Sequence, residues 1–266
     1  MLLEPRLIVE LALLGCITGT LSGLLGIGGG MMMVPFLSIL LDAKGYPPQY
    51  AVKIAVATSL ATICFTSLSS VRAHHRRGAV RWPVVGLLAP GILAGSIGGS
   101  QIAVALPGKS LNWLFAAFLA FSATRMFINT RPEPTRTLPG PAGGFAMGSL
   151  IGVVSSMVGA GGAFISVPFM TRCNVRIHDA VGTSSALGFP IALAGTLGYV
   201  WAGRWLPPMP PGSVGYLYLP GLLVISMCSM STAPLGAHLA HRMDIAPLKR
   251  VFAVFLYLLA AYFVLR

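Results

Sequence analysis

Eight apolar runs, most of them near the length of a bilayer crossing, follow one another through the chain, at about 7–41, 51–71, 82–106, 111–128, 142–171, 179–200, 213–239 and 248–265. Only 9% of the residues are charged, too few to coat a soluble domain of this size, and the mean hydropathy is +0.81. The expected fold is therefore all-α, a polytopic integral membrane protein. The net charge is +12, but the basic residues sit in short clusters between apolar runs. That pattern fits membrane topology and anionic lipid and argues against nucleic acid as a partner. Cys16, Cys64, Cys173 and Cys228 are scattered and form no CxxC, so neither a disulfide framework nor a metal site is indicated. Arg6 ahead of the first run resembles the start of a signal peptide. Glu4 and Glu10 interrupt that pattern and no small-x-small cleavage site follows, so the run is read as retained.

The first run breaks its own pattern. LSGLLGIGGG, residues 21–30, holds five glycines and leads into MMMVPFL; SSMVGAGGAFISVPFM, residues 155–170, repeats the device. Gly26, Gly28, Gly29, Val34, Pro35 and Phe36 reappear as Gly159, Gly161, Gly162, Val167, Pro168 and Phe169, at a constant offset of 133 residues. VATSLA (56–61) resembles VGTSSA (181–186), and APGIL (89–93) resembles LPGLL (219–223). Three matches in the same order predict two homologous halves, residues 1–128 and 142–266, joined by a proline-rich linker at 129–141. Internal symmetry of this kind is characteristic of secondary transporters.

A continuous helix over 7–41 would be about 50 Å long, against a hydrocarbon core of about 30 Å. The glycines are where such a segment would break, and Pro35 and Pro168 disturb the helix that follows. A break at membrane depth offers unpaired amides and a positive helix end, which favour an anion. Tight helix packing is the competing use of small residues.

Charge selects between two topologies. With eight simple crossings, Lys and Arg divide ten to eight between the two sides. If runs one and five are re-entrant hairpins turning at their glycines, each half has a hairpin plus three crossings and the halves are inverted. The division becomes twelve to six, with the 72–81 and 129–141 segments on the basic, cytoplasmic side and both termini outside. Inverted repeats are the expected arrangement.

The paired glycine segments with VPF, together with VATSLATI, HHRRGAVRW and VGTSSALGFP, resemble the TauE/SafE family of membrane transporters, often described as sulfite exporters. The resemblance touches most of the chain. It implies a multi-pass carrier of the plasma (cell) membrane, moving sulfite, sulfoacetate, another organosulfonate or a related small anion. The repeat is imperfect, because Gly30 corresponds to Ala163 and Met33 to Ser166.

The candidate substrate-binding residues are Gly26, Gly28, Gly29, Gly30, Gly159, Gly161 and Gly162, with Thr58, Ser59, Thr183, Ser184 and Ser166 as short hydroxyl donors. Local bonding to helix carbonyls is the alternative use of those hydroxyls. Arg125, His178, Asp179 and His238 are candidates for the pathway or for coupling to protons or another ion, with snorkelling, capping and surface roles as their alternatives. No carboxylate is placed centrally. No cofactor is implied and no enzyme is expected: GxxxxGK[ST] and HExxH are absent, and the letters nearest to GxSxG, Gly95-Ser96-Ile97-Gly98, are wrongly spaced. An anion channel is the nearest rival function, ahead of an intramembrane enzyme or an assembly protein. The topology is testable. After replacement of the native cysteines, single cysteines placed in 42–50 and in 72–81 should be labelled from opposite sides of intact cells. Labelling of both from one side would refute inversion.

Overall fold

The computed structural model describes residues 5–25, 30–128, 137–206, 210–240 and 245–265. The elements are helices α1 (Pro5–Leu25), α2 (Gly30–Ala43), α3 (Pro48–Arg76), α4 (Trp82–Ala105), α5 (Gly108–Ile128), α6 (Pro141–Val158), α7 (Ala163–Arg172) and α8 (Ile177–Ala202). A ribbon of β1 (Ser213–Val214) and β2 (Leu217–Tyr218) follows, then α9 (Leu219–Ala240) and α10 (Ile245–Leu265). Among the described residues, α3, α4, α5, α6 and α8 are long and apolar enough to cross a bilayer. The chain is an all-α multi-pass membrane protein.

The two long runs that carry glycine breaks are each divided into two helices, α1 with α2 and α6 with α7. Five of the other six runs are single helices. The run expected at 213–239 begins differently. Residues 213–214 pair antiparallel with 217–218, between Gly212 at φ 85° and Gly215 at φ 59°. Tyr216, Leu217 and Tyr218 are buried there. Hydropathy alone does not separate a tucked apolar ribbon from the start of a helix.

Helices α3 and α8 form the centre and pack on each other. In each, 61% of the apolar window is buried inside the protein, against 44% in α4, α5 and α6, so these two face protein where the others face lipid. The outer helices pair across the chain: α1 with α9, α4 with α6, and α5 with α10. The α4–α6 contact is made by glycines four apart on both helices. A Cβ on Gly91 would run into the Phe145 carbonyl, one on Gly95 into that of Ser149, and one on Gly148 into that of Leu88. Numbers rise together along this contact, so the two helices run in the same direction. Helices α1 and α9 do likewise, with Gly15 against Ile225 and Cys228 and Gly19 against Ser229 and Thr232. Without a hydrophobic drive between helices in lipid, such backbone approach supplies the packing energy.

Two polar ties fix the ends. Arg81, just before α4, donates from Nε and Nη2 to Asp179 Oδ2 at 2.9 and 2.7 Å, near the start of α8. Lys44, just after α2, lies 3.4 Å from Glu10 in α1. The glycine seam yields a prediction. Gly95→Val should lower stability by about 1–3 kcal/mol through overpacking, whereas Gly98→Val, whose Cβ meets nothing within 4 Å, should melt near wild type. Thermal melting of both variants in detergent checks this.

Candidate functional site

Helix α6 ends where Gly159 takes φ 68°, and α7 begins after Gly162 takes φ 77°. Both lie in the left-handed region that side chains with a Cβ avoid. The Gly159 amide donates to the Ser155 carbonyl, and the Ala160 amide reaches the same oxygen at 3.1 Å. Three further carbonyls at the two breaks are also taken. Ser59 Oγ, on α3, donates towards the Gly159 carbonyl at 2.9 Å and the Gly30 carbonyl at 3.2 Å. The fully buried Tyr199 of α8 donates its hydroxyl to the Ser156 carbonyl at 3.2 Å.

The amide side is different. Ile165 and Ser166 donate to the Gly162 carbonyl and close the first turn of α7. The amides of Gly161, Gly162, Ala163 and Phe164 donate to no acceptor among the described residues. Ser155 Oγ, 1% exposed and without a hydrogen-bond partner among the described residues, lies 3.2 Å from where a Cβ on Gly162 would stand. The break therefore presents a run of open donors beside the bonded carbonyls of Ser155, Ser156 and Gly159.

The first-half break meets the second. Gly26, Gly28 and Gly29 lie outside the described residues. Gly30 opens α2, and a Cβ on it would run into the Gly159 carbonyl, with Ser59 Oγ 2.8 Å away. Helices α2 and α7 thus both begin at one place, beside the middle of α3.

The hydroxyls expected from sequence are all buried and all engaged. Thr58 Oγ1 accepts from the Tyr218 amide at 3.2 Å, and Thr183 Oγ1 accepts from the Arg81 amide at 2.9 Å. The two threonines play one role twice, each tying down the chain that enters a fourth helix. Ser166 and Ser184 share a hydrogen bond of 2.7 Å, one turn along α7 from the open amides. Gly161 is half-buried, with only Ile63 Cγ2 near its missing Cβ, at 3.7 Å.

The pathway candidates are not gathered at the break. Asp179 is buried under Arg81 and Arg176, which gives its carboxylate two ion-pair partners. His178 is exposed beside it. Arg125 is half-buried in the last turn of α5. The His238 side chain lies outside the described residues. A cavity of about 230 Å³ opens elsewhere, lined mainly by leucines of α1 and α2 with Lys44, Tyr46 and Tyr218. None of the residues of the second break, 159–166, lines it. Sequence reading missed Ser155 and Tyr199. Ser155 is the partner of Ser22 at the same 133-residue offset, so the repeat carried its signal; Tyr199 had none.

No Asp, Glu, Lys, Arg or His occurs in residues 54–71, 141–171 or 180–203, which supply the walls of this region. Any charge bound there is met by amides, hydroxyls and helix ends rather than by a fixed counter-ion.

The family described as Sulfite exporter TauE/SafE matches residues 11–263. A probable membrane transporter protein of Haemophilus influenzae is 34% identical over 250 residues, spanning 93% of this chain and 94% of its own. The probable membrane transporter protein YdhB of Bacillus subtilis is 31% identical, over 90% of this chain and 91% of its own. One from Methanocaldococcus jannaschii is 25% identical, over 89% and 86%. No solved structure gives a significant match.

The geometry separates two glycines that the sequence treats alike. Gly162→Ala places a Cβ at positive φ and 2.5 Å from Ile191 Cδ1, and should cost about 1–3 kcal/mol. Gly161→Ala should fold and melt near wild type. Detergent melting curves of the two variants are the check.

Proposed function

The chain belongs to the TauE/SafE family of membrane transporters, and from that premise we propose that it is a secondary transporter of a small anion, with sulfite, sulfoacetate or a related organosulfonate as the substrate class. Transport, not enzymatic chemistry, is what its relatives share. The observation that carries the anion assignment is the imbalance at the helix break. The carbonyls of Ser155, Ser156 and Gly159 are bonded to local amides, Tyr199 and Ser59, while four successive amides from Gly161 to Phe164 donate to no acceptor among the described residues. Buried donors without acceptors attract a species rich in acceptor oxygens.

The reading includes two inverted halves, each with a re-entrant hairpin and three crossings. Several contacts support it. Glu10 near the start of α1 meets Lys44 beyond the end of α2, as expected of a chain that returns to the face it left. Helices α4 and α6 start at one face and run together, and Arg81 before α4 reaches Asp179 at the start of α8, so α6, α7 and the start of α8 fit a second return. The exchanged pairs, α1 with α9 and α4 with α6, suit a two-fold relation between halves. In that arrangement α2 and α7 bring their positive ends to one central site from opposite faces.

Counterflow in proteoliposomes tests the transport assignment. Vesicles preloaded with unlabelled sulfite, sulfoacetate or methanesulfonate should transiently accumulate the labelled anion, and imposed pH and sodium gradients should reveal any coupling. Flux with neither saturation nor counterflow would point to a channel instead. Absence of flux for every anion, from folded protein, would overturn the assignment.

A further inference from the structure

We infer that Ser155 is a ligand of the transported anion, and that the site it completes takes a singly charged oxyanion group, a sulfonate, hydrogensulfite or carboxylate, in preference to a dianion. This rests on the anion-transport reading above and adds to it a residue and a charge class. A serine in the last turn of a membrane helix ordinarily bonds back to a carbonyl three or four residues earlier, as Thr18, Thr62, Ser156 and Thr171 do here. Ser155 does not. Its hydroxyl is 1% exposed and has no partner among the described residues. It lies beside Gly162, the residue that precedes α7, with Ile151 and Ile191 closing the same space. A buried, unpaired hydroxyl in lipid is unfavourable unless something else uses it. Gly162 is itself one of four successive residues, Gly161 to Phe164, whose amides donate to no acceptor among the described residues. A hydroxyl donor next to a run of amide donors is a cradle for oxygen atoms carrying negative charge.

The charge class follows from what surrounds the cradle. The wall segments 54–71, 141–171 and 180–203 contain no charged or titratable Asp, Glu, Lys, Arg or His. Two helices, α2 and α7, begin at the break, and each helix start is worth roughly half a positive charge. Together they balance about one negative charge. The desolvation cost grows as the square of the charge, so a dianion would incur roughly four times the cost of a monoanion with no more charge to offset it. Sulfate and methanesulfonate present three similar oxygens and differ in charge, which makes them the discriminating pair.

The experiment uses the purified full chain, wild type and Ser155→Ala, with binding followed by calorimetry and transport by counterflow, and methanesulfonate, acetate and sulfate as probes. Wild type should bind methanesulfonate or acetate at least about tenfold more tightly than sulfate. Ser155→Ala should weaken monoanion binding by about 10- to 150-fold, the range for one hydrogen bond to a charged group, and Ser155→Thr should recover part of the loss. Ligand-free Ser155→Ala should melt at or slightly above wild type, because the hydroxyl it removes has no partner. A variant that melts well below wild type yet binds methanesulfonate normally would assign Ser155 to the fold and overturn the inference. Wild type that binds or transports sulfate as well as the monoanions would overturn the charge class while leaving anion transport standing. Wild type that binds and transports none of these, or sulfite or sulfoacetate, would remove the transport reading and this inference together.

Discussion

One hydroxyl, that of Ser59, stands between the two places where membrane helices stop. It reaches the carbonyls of Gly30 and Gly159 from the middle of α3, and a side chain on Gly30 would run into the Gly159 carbonyl. In the bilayer interior no water is available to satisfy a broken helix, so a break persists only where protein groups take over its hydrogen bonds. Ser59 and Tyr199 do so on the carbonyl side. The short helices α2 and α7 can begin in mid-protein because of this, and the wide central burial of α3 and α8 follows from it, since these two helices supply the walls against which the breaks are set.

The threonine beside Ser59 extends the same logic outward. Thr58 holds the Tyr218 amide and Thr183 holds the Arg81 amide, so each central helix anchors the chain entering a fourth helix. The surroundings of the two anchors differ. At Arg81 the tie is reinforced by the buried carboxylate of Asp179, shared with Arg176. At Tyr218 the neighbouring ribbon is instead packed by aromatic contacts, Tyr50 and Tyr199 both lying against Tyr216. One anchor is ionic and partly wet, the other apolar. The same backbone task is thus met by two chemistries, and they will respond differently to salt, which screens the first and leaves the second untouched.

Much of this was legible in the sequence, and the parts that were not share a cause. The 133-residue offset located both breaks, and bilayer-length runs located the remaining helices. The α4–α6 seam was not read, although glycines spaced by four are visible at 91, 95 and 99 and again at 144, 148 and 152. A small-residue stripe identifies a contact face but not its partner, and the partner here lies in the other half. The Thr-Ser pairs were found as a repeat, while their division of labour was not. Thr58 and Thr183 bind amides that come from far along the chain, which local spacing cannot reveal. Ser155 was passed over because serines are frequent in these helices; it stands apart only by joining a missing partner, which Ser122 and Ser226 also lack, to a place beside Gly162 at the break. The ribbon at 213–218 was read as helix because burial and helicity produce the same hydropathy.

The lack of a central Lys or Arg is better seen as part of the transport chemistry than as a gap in it. A buried cation would need its own desolvation offset in the empty protein, and once paired with an anion it would hold on too firmly for turnover. Lys53 illustrates the alternative fate of a buried cation: it donates to the Val104 carbonyl at 2.6 Å, among the last carbonyls of α4, and serves a helix end. Amides at a helix start carry only partial charges and are already oriented by the helix behind them. They can hold an oxyanion firmly enough to select it and weakly enough to let it go. The glycines that create the break make this economy available, since only a backbone free of side chains presents several amides to one small ligand. In the proposed reading, the motif that interrupts the helix and the motif that meets the anion are one and the same.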